Sequence, residues 1–236
     1  MEALNMNKFA FRQSADTLDI YLYDDIEADK YDWWTGQTII SDTSSKTIAK
    51  LIEENGNVSK INLHINSNGG DVKEGIGIYS QLARHKAYKT AYIDGFAASI
   101  ASVIAMACDK IVMSAVSLMF LHHASRGIYG NSEELRKAAD DLDVIDASSN
   151  TAYKEHAGDK LSDEKLKELL DNSTWLSAEQ CLELGLCDEV ETKTVENQKT
   201  VAQQLFNNYQ QHQLNQMTKN QKTVIQQMAE KFKKST

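Results

Sequence analysis

Three segments of this chain alternate apolar and polar residues with a two-residue period: LDIYLYD (18–24), INLHIN (61–66) and AYKTAYID (87–94). Each is followed by a stretch with helical spacing. Residues 44–54 form the first such stretch; Val72, Ile76, Tyr79 and Leu82 mark one face of the second; 98–107 predicts a third helix with a small-residue face. Strands that alternate with helices lie side by side in parallel, because a parallel pair needs a long crossover and a helix supplies it. The fold class expected is therefore α/β with largely parallel pairing.

The pattern continues beyond this core. KIVM (110–113) and SLMFLHH (117–123) predict strands, and a polar helix of about 25 residues opens at the capping-box-like Asn131-Ser132-Glu133-Glu134. Shorter helices are expected over 162–171 and 177–184, then a last strand near CDEVET (187–192). No fixed-period repeat is present. From about residue 195 the chain turns Gln- and Asn-rich. Six lysines there face two glutamates, so this tail is net +4 and the remainder of a −9 chain carries −13. Val201, Leu205 and Tyr209, then Val224, Met228 and Phe232, recur at four-residue steps. They fit a surface helix, a partly disordered tail, or a helix that binds a partner. The expected organisation is an N-terminal arm over 1–16, one domain over 17–194 and a tail over 195–236.

Charge and composition exclude several functions. A net charge of −9 gives no general reason to expect nucleic acid. No run reaches the ~18 apolar residues of a membrane span, and the N-terminus lacks the apolar core of a secretory signal; a cytoplasmic location is expected. Cys108, Cys181 and Cys187 are an odd set with no paired CxxC, which reads as reduced thiols. No metal or cofactor is expected: His122 and His123 are adjacent on a strand and cannot converge on one ion, and no HExxH is present. The sequence contains no proline.

Chemistry concentrates in three places. INSNGGDVKEG (65–75) reads as strand, Gly-Gly turn and helix start, where glycines leave backbone N–H groups uncovered near a positive helix end. Such groups stabilise developing negative charge; equally, the turn is a tight connection and Asp71 a helix cap. DGFAASIAS (94–102) repeats this geometry around Ser99. Ser99 is either a cap among close-packed helices or a nucleophile whose small neighbours admit a substrate backbone, with the Ile100 N–H aimed into the same space. SLMFLHHASRG (117–127) places two histidines at a strand end, and only one of them can face Ser99.

In this order, INSNGGDVKEGIGIYSQL, DGFAASIASVIAMACDKIVM, LMFLHHASRGIYG and TWLSAEQCLELGLCDEV resemble the ClpP family of serine peptidases over residues 17–192. More narrowly, they resemble its phage-encoded head maturation branch. The resemblance implies a spiral of ββα units with a protruding handle helix, the helix at about 131–156. It implies Ser99 as nucleophile, His122 as general base, and the N–H groups of Gly70 and Ile100 as the oxyanion hole, with Gly69 and Gly70 beside the substrate. It further implies an ATP-independent endopeptidase acting on capsid or scaffold proteins, as a homo-oligomer of ring type. A Clp subunit paired with an ATPase is the alternative; a catalytically weak assembly protein is another. Crotonase-type enzymes and a Ser–Lys signal-peptide peptidase share the fold, but their site residues do not match. Asn68 and Ala124 stand where the family has proline. Ser173 stands where it has an acid, and Asp171, two residues away, is the expected substitute for orienting His122.

Overall fold

The computed structural model describes residues 11–13 and 16–191, with side chains from 16 onward. Its centre is a mostly parallel sheet built from β1 (Phe11–Gln13), β2 (Thr17–Leu22), β5 (Lys60–Ser67), β6 (Tyr88–Ala98), β7 (Lys110–Ser114) and β10 (Glu189–Glu191), in that order. Only β1 runs antiparallel along this path. In β2 and β5 the inward positions Leu18, Ile20, Leu22, Ile61, Leu63 and Ile65 are fully buried. The two-residue period therefore points one face of the sheet into the core. Burying six such side chains is worth roughly 1.5–3 kcal/mol each before chain entropy is counted.

Helices α1 (Ser45–Glu54) and α2 (Val72–Arg84) supply the first crossovers. Ser44 and Asp71 cap them, accepting from the Thr47 and Glu74 N–H groups. The two helices are pinned together by Glu74, which is 6% exposed and accepts hydrogen bonds from the Ser45 N–H (2.9 Å) and hydroxyl (2.6 Å). A buried carboxylate is tolerated because those donors replace water. Helix α3 (Ile100–Ala105) is short and wholly buried, and α4 (Ser132–Ala157) is the long polar helix, with the expected capping box closed by Asn131 and Glu134. Helices α5 (Asp163–Asp171) and α6 (Ala178–Leu184) complete the set.

Strand β6 is longer than its alternation predicts, and this places the site. Thr90–Ile93 pair with β7, whereas Phe96–Ala98 pair with β8 (Leu118–Leu121). The handover occurs where the pairing with β5 slips between Ile65 and Ser67. Asn66 fills the slip: its Oδ1 accepts from the Phe96 N–H at 3.1 Å and sits where any Gly95 side chain would be. β8 then pairs antiparallel with β9 (Thr174–Ser177). Three features escape the sequence reading: β1, which falls in the stretch read as an N-terminal arm, β9, and a hairpin of β3 (Lys30–Asp32) and β4 (Gln37–Ile39). All are three- or four-residue strands, too short to display a period. The hairpin carries Trp33 and Trp34 at 90% and 96% exposure.

No helix among the described residues is long and apolar enough to cross a membrane. The tail readings at Val201–Phe232 and most of the N-terminal arm lie outside the described residues.

Candidate active site

The run DGFAASIAS straddles the end of β6, a turn and the start of α3. Ala97, Ala98, Ala101 and Ser102 are at most 3% exposed, so the small residues are core after all, chosen because α3 presses directly on the sheet. Ser99 does not cap α3, since its side chain makes no capping hydrogen bond. It takes φ 55° and ψ −129°, a backbone region that side-chain-bearing residues occupy at a cost of roughly 1–3 kcal/mol. Surrounding hydrogen bonds hold it there. The Ser99 N–H donates to the Phe120 carbonyl at 2.9 Å, and the Ser99 carbonyl accepts from the Ser102 N–H (3.0 Å) and hydroxyl (2.6 Å). Because the Ser102 proton is committed there, the buried Tyr153 hydroxyl donates to Ser102 Oγ at 2.7 Å. The strained backbone is thus satisfied, and of its polar groups the Ser99 hydroxyl alone makes no hydrogen bond among the described residues.

The Gly-Gly turn, thirty residues earlier in sequence, lies against this serine. A Cβ on Gly69 would stand 2.7 Å from Ser99 Cβ and 3.2 Å from the Ile100 N, and φ at Gly69 is +92°. Glycine is required here for both reasons. Gly70 forms a parallel bridge with Ile26, made by Ile26 N–H to the Gly69 carbonyl and Asp71 N–H to the Ile26 carbonyl, both 2.7 Å. In a parallel bridge of this kind the central residue's own N–H points to the other side, and the Gly70 N–H has no acceptor among the described residues. The Ile100 N–H is the first of α3 and is unpartnered for the usual reason at a helix start. The Ile100 N–H directly follows Ser99 in the chain, and the Gly70 N–H directly follows the glycine packed against Ser99; neither has an acceptor among the described residues.

His122 follows β8 directly. Its ring stacks on Phe120 at 5.1 Å, and Phe120 stacks in turn on Trp175 of β9 at 4.6 Å. Ser99, Ile100 and His122 line one small cavity with Asp146, Asn150 and Tyr153 of α4. These three sit at helical spacing on one face, a signal visible in the sequence but not read there as part of a site. Asn150 Oδ1 is buried without a hydrogen-bond partner among the described residues, an acceptor available to whatever enters. Among the described residues His122 itself makes no hydrogen bond.

The two acid candidates are placed differently from the expectation. Asp171, at the last turn of α5, accepts from His123 Nε2 at 3.0 Å and from Lys167 Nζ at 2.6 Å, so its carboxylate meets the neighbouring imidazole and not His122. Successive residues leaving a strand face opposite ways, and on α5 the Asp171 carboxylate meets His123 while the neighbouring Leu170 lines the cavity beside His122. Lys167 first, then His123, hold the Asp171 carboxyl below its ordinary range. Ser173 is exposed, has φ 49°, and makes no side-chain hydrogen bond among the described residues. It and Ser99 are the two non-glycine residues with positive φ among those described.

Comparison with known proteins identifies the family. The family model for Clp protease matches residues 28–194, most of the chain. The chain is 29% identical over 168 residues to the ATP-dependent Clp protease proteolytic subunit of Deinococcus radiodurans, covering 70% of this chain and 81% of that one. It is likewise 29% identical over 167 residues to the ATP-dependent Clp protease proteolytic subunit 1 of Prochlorococcus marinus subsp. pastoris, covering 69% and 84%. The α/β core, a mostly parallel sheet with six helices, accords with that match, and the chain belongs to the Clp protease family of serine peptidases.

Proposed function

We propose that this protein is a serine endopeptidase in which Ser99 attacks the peptide carbonyl and His122 accepts its proton. The Gly70 and Ile100 N–H groups then hold the oxyanion, and His122 protonates the departing amine. Water hydrolyses the acyl-enzyme by the same roles reversed. The observation that carries this reading is the strained Ser99 backbone, whose polar groups other than the hydroxyl are satisfied among the described residues, packed against Gly69 and sharing one cavity with His122. The free edge of Gly70 offers backbone pairing to an extended peptide, in the manner of strand addition.

The substrate class we propose is capsid or scaffold protein of a phage, cleaved without an ATPase. The likeness of HKAYKTAYIDGFAASIASVIAMACDKIVM to the phage-encoded branch supports it, as does the Ser173 departure from the housekeeping pattern. A homo-oligomer, built through α4, accompanies the reading; Val144 on that helix is 72% exposed, an apolar side chain available for a neighbouring copy. One observation favours a second reading, in which the chain works beneath an ATPase ring: the curated relatives bear the name ATP-dependent.

A fluorophosphonate probe tests the chemistry. Covalent modification at Ser99, abolished in Ser99→Ala, is expected; absence of labelling in the folded full-length chain refutes the peptidase. Degradation of casein separates the two settings. Cleavage by the chain alone supports the ATP-independent enzyme, and a strict requirement for a Clp ATPase with ATP overturns it in favour of the second reading.

A further inference from the structure

The peptidase mechanism leaves one titratable cluster unused. His123 is held at both ring nitrogens by carboxylates from two different helices: Nδ1 lies 2.7 Å from Asp146 Oδ2 on α4, and Nε2 lies 3.0 Å from Asp171 Oδ1 on α5. The other oxygen of Asp146 accepts from the Ala124 N–H at 2.7 Å, immediately after the histidine pair. Asp146 also lines the cavity shared by Ser99 and His122.

Proton counting decides what this cluster requires. A neutral imidazole has one N–H and one bare nitrogen, so between two carboxylates it satisfies only one of them. A proton on a carboxyl instead is disfavoured at Asp171, where Lys167 Nζ stands 2.6 Å away. With both carboxyls ionised, the two contacts are hydrogen bonds together only when His123 is the imidazolium. We propose that protonated His123 is a positioning residue for catalysis: it ties α4 and α5 to the segment 122–124 and so holds His122 in register with Ser99. The inference rests on the reading of His122 as the base.

The charged groups facing His123 are Asp146 from α4, Asp171 from α5 and, behind Asp171, Lys167. His122 is its chain neighbour, and Tyr153 on α4 lies near enough to Asp146 to feel its charge. Hydrogen bonding to Asp171 foremost, then to Asp146, outweighs partial burial and raises the His123 pKa above its ordinary value. The folded value is raised, so the clamp is complete below the ordinary imidazole range and is lost as pH rises through the higher folded value. The reactivity of Ser99 therefore falls at alkaline pH as the clamp opens.

The test uses the full-length chain and Asp171→Asn, an isosteric change outside the catalytic cavity. An asparagine amide donates to the bare Nε2 of neutral His123, while Nδ1–H still serves Asp146, so this variant removes the need for the second proton. Exchange of the imidazole C2 hydrogen for deuterium, read by fragment mass spectrometry, gives the His123 titration midpoint. Fluorophosphonate labelling of Ser99 across pH gives reactivity. In the wild type the midpoint is expected above the ordinary ~6.5, and the alkaline fall in labelling tracks it. In Asp171→Asn the midpoint drops and the alkaline fall disappears. In His123→Gln the rate at neutral pH is expected to fall roughly tenfold to hundredfold and to show no alkaline fall. An ordinary midpoint in the wild type, or an alkaline fall unchanged in Asp171→Asn, overturns the proposal. A raised midpoint that drops in Asp171→Asn, with no labelling of Ser99 in any chain, instead supports the clamp and refutes the peptidase reading.

Discussion

Replacing Gly70 with alanine tests the site and its scaffold together. Gly70 has φ +143°, and an added Cβ would fall inside van der Waals contact of the Ile26 carbonyl oxygen and 3.0 Å from the Ile26 nitrogen. All three nearest atoms are backbone, so no side chain can swing aside. The strained φ costs about 1–3 kcal/mol, and weakening the two 2.7 Å hydrogen bonds of the Ile26 bridge removes about 1 kcal/mol each. A total of roughly 3–5 kcal/mol corresponds, at about 2–4 °C per kcal/mol for a domain of this size, to a fall in Tm of roughly 6–20 °C. Reactivity suffers separately. Displacing the Gly70 N–H removes one of the two oxyanion donors we propose, a loss expected to cost about a hundredfold or more in rate. The assay is fluorophosphonate labelling of Ser99 well below both melting temperatures, with Tm read by calorimetry. Gly127→Ala is the control, because nothing lies within 4 Å of a Cβ there. A Gly70→Ala protein that melts and labels like the wild type would refute the bridge and the oxyanion assignment at once.

Two further outcomes probe the support beneath the site. Ser102→Ala strands the buried Tyr153 hydroxyl and is expected to cost about 1–3 kcal/mol. Tyr153→Phe leaves Ser102 still donating to the Ser99 carbonyl and costs less, near 1 kcal/mol; the reverse ranking by denaturant unfolding rejects the donor order Tyr153 to Ser102 to Ser99. Glu74 has its pKa lowered, chiefly by the Ser45 hydroxyl and against burial. A depressed folded value means its stabilisation is present above the ordinary carboxylate range and disappears as pH falls through the folded value. Glu74→Gln is therefore expected to cost about 1.5–3 kcal/mol near neutrality and progressively less toward acid. A stability gap that is constant from neutral to acid pH contradicts the assignment.

Much of the architecture was legible in the chain because its signals are local. Period-two segments at 18–24, 61–66 and 87–94 became β2, β5 and β6, and the Asn131–Glu134 capping box opened α4 as read. The Gly-Gly turn and Ser99 were each visible as chemistry without a partner. What failed was length or reach: β1, β3, β4 and β9 are too short to show a period, and β6 extends to Ala98 because its far end is paired by β8, a neighbour no window around it contains.

The same division holds at the site. By itself the sequence determined the α/β class, the candidate nucleophile and the pair of histidines, since these depend on residue type and on spacing within one element. Only the tertiary structure decided that Gly69 touches Ser99, that the Ser99 hydroxyl is the one polar group of that residue without a partner among the described residues, and that Asp171 reaches His123 and not His122. Those outcomes turn on which side of a strand end each imidazole leaves and on which helix packs there. Both are settled by crossovers that bring α4 and α5 from far along the chain, and a carboxylate's partner is chosen by distance in space.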